Sequence, residues 1–97
     1  MGNYKLTPEA DCDLTEVWKQ GYKRWGLKRA NLYLLDLEDC FEKLFELPKL
    51  GIKRDNVLIG CRSFPQGSHI VFYRKHNKKI EVIRVLHRRM EVRMHFD

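Results

Sequence analysis

The sequence predicts a single α+β domain in which a pair of helices packs on one face of a β-sheet. Over two long stretches between residues 7 and 47, apolar residues recur at three- and four-residue intervals, the period of amphipathic helices. After residue 56 the pattern changes to short strand-like segments separated by turn signals. The chain has 97 residues, a length that corresponds to one domain, so we expect residues 1–97 to fold as one unit.

The first half of the chain reads as a short strand followed by a helical hairpin. Residues 4–6 form the strand candidate, and Thr7 and Pro8 then supply a hydroxyl N-cap and a proline at the first helical position. Gly26 ends this first helix, because glycine readily adopts the positive φ of a helix stop. A second helix is predicted from about residue 28 to residue 47. Two amphipathic helices joined by so short a turn share an apolar stripe that needs a sheet to cover it.

The second half predicts an antiparallel meander of strands at residues 57–62, 69–74 and 79–87. The turn signals lie at residues 64–68 and 75–78, and connections this short make neighbouring strands antiparallel. In the last strand, simple alternation divides the side chains between two faces: Ile80, Val82, Arg84 and Leu86 on one, and Ile83, Val85 and His87 on the other. Apolar groups on both faces favour a central strand, covered on one face by the helices and on the other by more of the chain or by a partner.

The positive charge is concentrated at the C-terminal end. The net charge is +6; residues 74–97 hold eight basic and three acidic residues, a net charge of +5, and residues 1–73 carry only +1. A localised positive field attracts either nucleic acid or an acidic protein segment. Charge alone therefore leaves open a plain nucleic-acid-binding module.

Several functional classes find no support in the sequence. No apolar run approaches the ~20 residues of a membrane helix, and no nucleotide-binding glycine motif is present. The three cysteines are widely separated, which favours reduced, buried thiols in a cytoplasm over disulfides or zinc: Cys12, Cys40 and Cys61. The four histidines have no familiar ligand spacing: His69, His76, His87 and His95. We therefore predict no metal and no cofactor.

One set of residues keeps a catalytic reading open. Arg62, Arg74 and Arg84 fall on neighbouring predicted strands, and His87 ends the last of them. A metal-free ribonuclease uses such a set, with arginines stabilising phosphate charge and a histidine exchanging a proton. The same arginines suit an acidic protein partner equally well.

Four segments in the second half carry a resemblance to a known family. They are Gly60-Cys61-Arg62-Ser63-Phe64, Gly67-Ser68-His69, Phe72-Tyr73-Arg74 and Leu86-His87-Arg88-Arg89-Met90. In this order, after an opening of Tyr4-Lys5-Leu6-Thr7-Pro8-Glu9-Ala10, they resemble the ParE toxins of the RelE/ParE superfamily, which belong to bacterial type II toxin–antitoxin modules. The chain departs at Cys61, where a tyrosine is expected, and at Glu91, where an aspartate is usual. It also lacks the C-terminal tyrosine of relatives that cut mRNA.

The resemblance implies a RelE/ParE-like α+β fold and a non-enzymatic activity. The expected activity is inhibition of DNA gyrase by stabilising its cleavage complex, with growth inhibition as the result. The expected partner is a ParD-type antitoxin, and contact with operator DNA would occur only through that antitoxin. The expected location is the bacterial cytoplasm, without a membrane. The alternative is a RelE-like, ribosome-dependent mRNA endoribonuclease using Arg62, Arg84 and His87.

Two sets of contact residues follow as expectations. An acidic antitoxin segment is expected to cover the sheet edge and the helical hairpin, and to contact these residues: Tyr73, Arg74, Arg84, Arg88 and Arg89. Gyrase is expected to contact the segment that projects past the last strand, namely His87, Arg88, Arg89, Met90 and Arg93.

Overall fold

The structure, a computed structural model that describes residues 2–90, has two helices packed on one face of a five-stranded sheet. The elements in chain order are β1 (Tyr4–Leu6), α1 (Pro8–Trp25), α2 (Leu27–Glu46), β2 (Ile52–Lys53), β3 (Arg62–Gln66), β4 (His69–His76) and β5 (Lys79–His87). The α+β prediction is therefore confirmed. None of the described helices is long and apolar enough to cross a bilayer.

The helical hairpin begins and turns where the sequence predicted. The hydroxyl of Thr7 accepts a hydrogen bond from the Ala10 amide (3.0 Å) and caps α1. The same hydroxyl donates to the Ile83 carbonyl (2.7 Å), which ties the start of α1 to β5. Gly26 lies between the two helices with φ +89°, a conformation that glycine adopts without a Cβ clash. Both ends of α1 are therefore fixed by Thr7 and Gly26.

The sheet has the order β1-β5-β4-β3-β2, so β5 is an internal strand, as predicted. The pairs β5–β4, β4–β3 and β3–β2 are antiparallel, which confirms the meander, whereas β1 pairs with β5 in parallel. The parallel pairing arises because the helical hairpin carries the chain from β1 across one face of the sheet. The sheet is therefore mixed.

A β-bulge changes which side chains of β5 face the helices. Tyr73 pairs with Val82 and Phe72 pairs with Arg84, so Ile83 is an extra residue. The cluster beneath the helices takes Ile80, Val82 and Val85 from β5, and the opposite cluster takes Ile83 and Leu86. The prediction that the side chains of β5 alternate regularly between the two faces was therefore wrong beyond Val82, because the bulge shifts the alternation by one residue.

The second face of the sheet is covered by the chain itself. Cys61, Phe72 and Leu86 are buried there, and Leu58 from the preceding loop packs against them. The guanidinium of Arg54 lies 5.9 Å from the centre of the Phe72 ring. The second apolar face of β5 is therefore covered by the chain itself, one of the two alternatives that the sequence left open.

The predicted strand at residues 57–62 was wrong, because residues 54–60 form a compact turn. The Arg54 carbonyl accepts hydrogen bonds from the amides of Val57 and Leu58, and the Asp55 carboxylate accepts one from the Gly60 amide (2.8 Å). Local hydrogen bonds of this kind compete with strand pairing. The strand starts instead at Arg62 and continues through most of the predicted turn, which shortens that turn to residues 67–68.

Candidate partner-binding end of the sheet

The chain leaves β5 in a tight turn formed by residues 87–90, which we call the basic turn. The Arg88 amide donates to the Ser68 carbonyl (3.1 Å), and the Met90 amide donates to the His87 carbonyl (3.0 Å). The Arg89 amide donates to Nδ1 of His87 (3.2 Å). These bonds fix the backbone while the side chains of Arg88, Arg89 and Met90 remain exposed. The turn therefore presents two cations and an apolar side chain to solvent.

A cleft of about 420 Å³ lies beside the basic turn, between α1 and the ends of β4 and β5. We call it the histidine cleft, because His69 and His87 both line it, with their ring centres 5.3 Å apart. The apolar and aromatic residues that line it are Val17, Trp25, Tyr33, Val85 and Met90. Its volume is in the range of pockets that bind small ligands or single side chains.

Tyr33 holds His69 in position at the cleft. Its hydroxyl lies 2.6 Å from Nδ1 of His69 and accepts a hydrogen bond from the Ser68 amide (3.0 Å). The same hydroxyl donates to the Gln66 carbonyl at 3.4 Å, so Tyr33 joins α2 to both strands of the β3–β4 turn. Burial and the neighbouring His87 lower the pKa of His69 to about 4, so the ring is neutral at pH 7.

Arg84 is held in a two-point ion pair with Asp13 of α1. Its Nε lies 2.8 Å from Oδ2 of Asp13 and its Nη2 lies 2.8 Å from Oδ1. The same Oδ2 also accepts a hydrogen bond from the Val85 amide (2.9 Å). The hydrogen bonds to Asp13 raise the pKa of Arg84 above its usual value. The two side chains are only 17% and 14% exposed, so this pair joins α1 to β5 and is poorly placed to meet a partner.

Arg74 remains accessible on the opposite face of the sheet. It pairs with Glu81 (2.9 Å), which also lies 3.8 Å from the ammonium group of Lys5. The Arg74 side chain is 40% exposed, so it can still contact an acidic partner. A half-exposed pair of this kind contributes little to stability.

Tyr73 does not lie on the surface that the sequence analysis assigned to it. The residue is 1% exposed and belongs to the core cluster beneath the helices. Its hydroxyl donates to the Pro48 carbonyl (2.7 Å) and accepts from the Gly51 amide (2.8 Å). A Cβ added to Gly51 would lie 2.6 Å from this hydroxyl, so the loop fits closely against the ring. Tyr73 therefore holds the loop after α2, and we leave it out of the partner surface.

The three residues of the ribonuclease alternative are not brought together. The Arg62 guanidinium donates to the Gly51 carbonyl (2.7 Å) and is used to fix a loop. His87 pairs across the sheet with His69, which pairs with Gln66, four residues along β3 from Arg62. Four residues of strand span roughly 13 Å, and β4 lies between the two strands as well. The groups that do lie next to His87 are His69 and, beyond it, Tyr33.

The sequence analysis missed the pairing of Tyr33 with His69. The only sequence signal was the Gly67-Ser68-His69 segment, because Tyr33 lies on α2 and meets this turn only after the hairpin packs on the sheet. Arg93, one of the expected gyrase contacts, lies outside the described residues. Within residues 2–90, no group of three metal-binding side chains is close enough to hold an ion.

Comparison with known families decides the relationship that the four sequence segments indicated. The family model for the ParE toxin of the type II toxin–antitoxin system parDE matches residues 4–92. The chain belongs to the ParE toxin family. It is therefore a toxin of a type II toxin–antitoxin system.

Individual members of the ParE family align with nearly the whole chain. Toxin ParE1 of Caulobacter vibrioides is 38% identical over 95 residues, covering 98% of each chain. Toxin ParE1 of Mycobacterium tuberculosis is 39% identical over 90 residues, covering 92% of each. A solved structure described as the chromosomal ParDE TA system from P. aeruginosa matches with a TM-score of 0.74 at 20% identity, covering 88% of this chain and 94% of the other. This last match supports the α+β fold.

Proposed function

We propose that this ParE toxin inhibits DNA gyrase by stabilising its cleavage complex with DNA, and that a ParD-type antitoxin silences it. The single observation that carries the gyrase proposal is the basic turn, where Arg88 and Arg89 are exposed on a backbone fixed by three hydrogen bonds. Membership in the ParE family supports the same activity. The gyrase contacts we propose are His87, Arg88, Arg89 and Met90, together with Arg93. The toxin would act in the bacterial cytoplasm, where gyrase meets DNA.

The antitoxin surface we propose combines the basic turn with the exposed side of the helical hairpin. Large apolar side chains are more than 40% exposed there: Tyr22, Trp25, Leu27, Leu32 and Leu35. A surface this apolar, next to the exposed Arg88 and Arg89, suits an acidic amphipathic segment. Arg88 and Arg89 remain proposed antitoxin contacts within this surface, and Arg74 remains a proposed contact on the opposite face of the sheet, whereas Arg84 serves mainly to hold α1. Contact with operator DNA would belong to the antitoxin.

The proposed action is inhibition by binding, without chemistry by the toxin. Arg62 and Arg84 are both engaged in structural contacts, and Arg62 lies four strand positions away from the end of the sheet that carries His87. General acid–base catalysis needs its groups within hydrogen-bond reach of one reacting atom. The mRNA endoribonuclease is therefore the outcome to be tested against the gyrase proposal.

The test is a supercoiling and DNA-cleavage assay with purified gyrase. Wild-type toxin is expected to block supercoiling and to accumulate cleaved DNA, and added antitoxin is expected to reverse both effects. The R88A/R89A double variant is expected to lose at least about tenfold in potency, because charge and anchor contacts are removed together.

The matched control for this assay is the K78A/K79A double variant. It removes two exposed cations from the opposite end of β5, so it changes the net charge equally at a distant position. Its potency should stay within about twofold of wild type, as expected for exposed charges outside an interface. An inactive wild-type toxin that instead cuts mRNA on translating ribosomes would overturn the gyrase proposal in favour of the endoribonuclease.

A further inference from the structure

The histidine cleft has the features of a binding pocket, and its space is not filled by side chains of the fold. It contains about 420 Å³ of space directly beside the basic turn. Protein interiors are normally packed without such space, so an open cleft with a formed lining is a candidate binding site. Trp25 and Met90, which line it, are 44% and 46% exposed.

Two histidine rings form the floor of the cleft, and each has one nitrogen bound within the fold. Nδ1 of His69 lies 2.6 Å from the Tyr33 hydroxyl, and Nδ1 of His87 accepts from the Arg89 amide (3.2 Å). Neither Nε2 atom has a hydrogen-bond partner among residues 2–90. The lowered pKa of His69 keeps its ring neutral at pH 7. An aromatic floor with unused ring nitrogens suits an apolar side chain whose own backbone supplies a hydrogen-bonding group.

The charge around the cleft indicates which partner would supply that side chain. On the α1 rim, Glu16, Gln20 and Arg24 follow one another at four-residue spacing, which places them on one side of the helix. Asp13 is already neutralised by Arg84, so it does not repel an acid. The basic turn adds Arg88 and Arg89 beside the mouth, and the rim is therefore net positive. An acidic segment is the complementary partner.

We propose that the histidine cleft is an anchor pocket that receives one apolar side chain from the acidic segment of the ParD-type antitoxin. This proposal rests on the proposed function, because it names the position of contact for the antitoxin assigned there. Seated in the cleft, the anchor contacts the walls formed by Val17, Trp25 and Val85, while its backbone hydrogen-bonds to the unused Nε2 atoms of the two histidines. The neighbouring acidic residues of the segment pair with Arg88 and Arg89. A buried central anchor surrounded by charge pairs is the usual arrangement of energetically dominant contacts.

The test fills the cleft without touching the core. Gln20 is exposed on α1 and lines the cleft, so Q20W places an indole over the opening. Thr15 is exposed on the same helix and does not line the cleft, so T15W is the matched control. Antitoxin binding is measured by calorimetry with full-length purified toxin and the purified ParD-type antitoxin encoded with it. Q20W is expected to raise the Kd by at least about tenfold, and T15W by less than about threefold.

The outcomes separate this proposal from the proposed function. Tight binding by wild type with equal binding by Q20W overturns the anchor pocket and leaves the antitoxin assignment standing. No binding by wild type overturns the antitoxin assignment itself. A further outcome would also overturn the anchor pocket. In it, duplex DNA bound to the free toxin shields the residues of the cleft from solvent, and bound antitoxin does not.

A second measurement does not depend on the variants. The Nε2 signals of His69 and His87 are followed by NMR in histidine-labelled toxin as antitoxin is added. Both signals are expected to shift with saturation at the binding stoichiometry, because the anchor's backbone hydrogen-bonds to these atoms. Signals that stay unchanged while the toxin binds antitoxin would place the contact elsewhere and overturn the pocket.

Discussion

Arg84 and Arg88 lie four residues apart on the same segment, yet the fold uses them in different ways. Arg84 makes a two-point ion pair with Asp13 and is 17% exposed. Arg88 follows the last residue of β5 and is exposed, and among residues 2–90 its hydrogen-bond partner is the Ser68 carbonyl, which its backbone amide contacts. The difference comes from Asp13 of α1, whose carboxylate lies over β5 at Arg84 and binds that guanidinium. The basic residues of this segment therefore include arginines bound within the fold, such as Arg84, and arginines exposed to a partner, such as Arg88.

The largest effect is expected from breaking the framework pair. R84A leaves the Asp13 carboxylate poorly exposed and without its guanidinium, which should lower the free energy of unfolding by about 3 kcal/mol. Urea unfolding followed by circular dichroism measures it. A loss below about 1 kcal/mol would mean that the pair is solvated and that Arg84 belongs with the accessible arginines after all.

A smaller loss is expected when the buried hydroxyl of Tyr73 is removed. Y73F keeps the ring in the core but leaves the Pro48 carbonyl and the Gly51 amide without their partner. The expected cost is about 1–3 kcal/mol of unfolding free energy, with antitoxin affinity unchanged. If Y73F instead kept wild-type stability and bound antitoxin more weakly, the assignment of Tyr73 to the interior would be wrong.

A further effect on stability is expected from the pH dependence of His69. Its pKa is about 4 in the folded protein, against a usual value of 6.5, so between these pH values the unfolded chain binds a proton that the folded chain does not. This contribution to stability is full above pH 6.5 and is lost as the pH falls towards 4. H69N, which does not titrate and retains an acceptor near Tyr33, should have a weaker pH dependence than wild type. Identical stability curves from pH 7 to pH 4 would contradict this account.

The smallest effect on stability is expected from the exposed arginines. R88A/R89A should change the free energy of unfolding by no more than about 0.5 kcal/mol, because both side chains are exposed and neither makes a hydrogen bond or ion pair with another described residue. Thermal unfolding measures this change, alongside the gyrase assay described above. Stability equal to wild type with lost activity would separate the two kinds of arginine most clearly. A fall in Tm of several degrees would instead show that the basic turn supports the fold.

Much of the fold could be predicted from the sequence because the deciding signals are local. Thr7, Pro8 and Gly26 place the helix ends through capping and backbone freedom, and these do not depend on distant residues. The composition of β5 is also a property of the local sequence. It predicted an internal strand, because a strand that is buried on both faces needs apolar residues on both. The family segments likewise identified the ParE toxins before any geometry was known.

The errors arose where local hydrogen bonds overrode the apolar pattern and where pairing with another strand changed the alternation. Residues 57–62 contain enough apolar residues to resemble a strand, but Asp55 and Arg54 close a turn instead. The bulge at Ile83 appears only when β5 pairs with β4, because an extra residue is defined relative to a partner strand.

The sequence by itself determined the fold class, the family and the position of the positive charge, because helix periodicity, capping and composition are properties of the chain alone. The tertiary structure decided which basic residues are available. It paired Arg84 with Asp13 across 71 positions of sequence and buried Tyr73 beneath the helices. It also brought Tyr33, His69 and His87 together at one cleft. These arrangements depend on how a helical hairpin packs across a bulged strand, and packing joins residues that no spacing in the sequence connects.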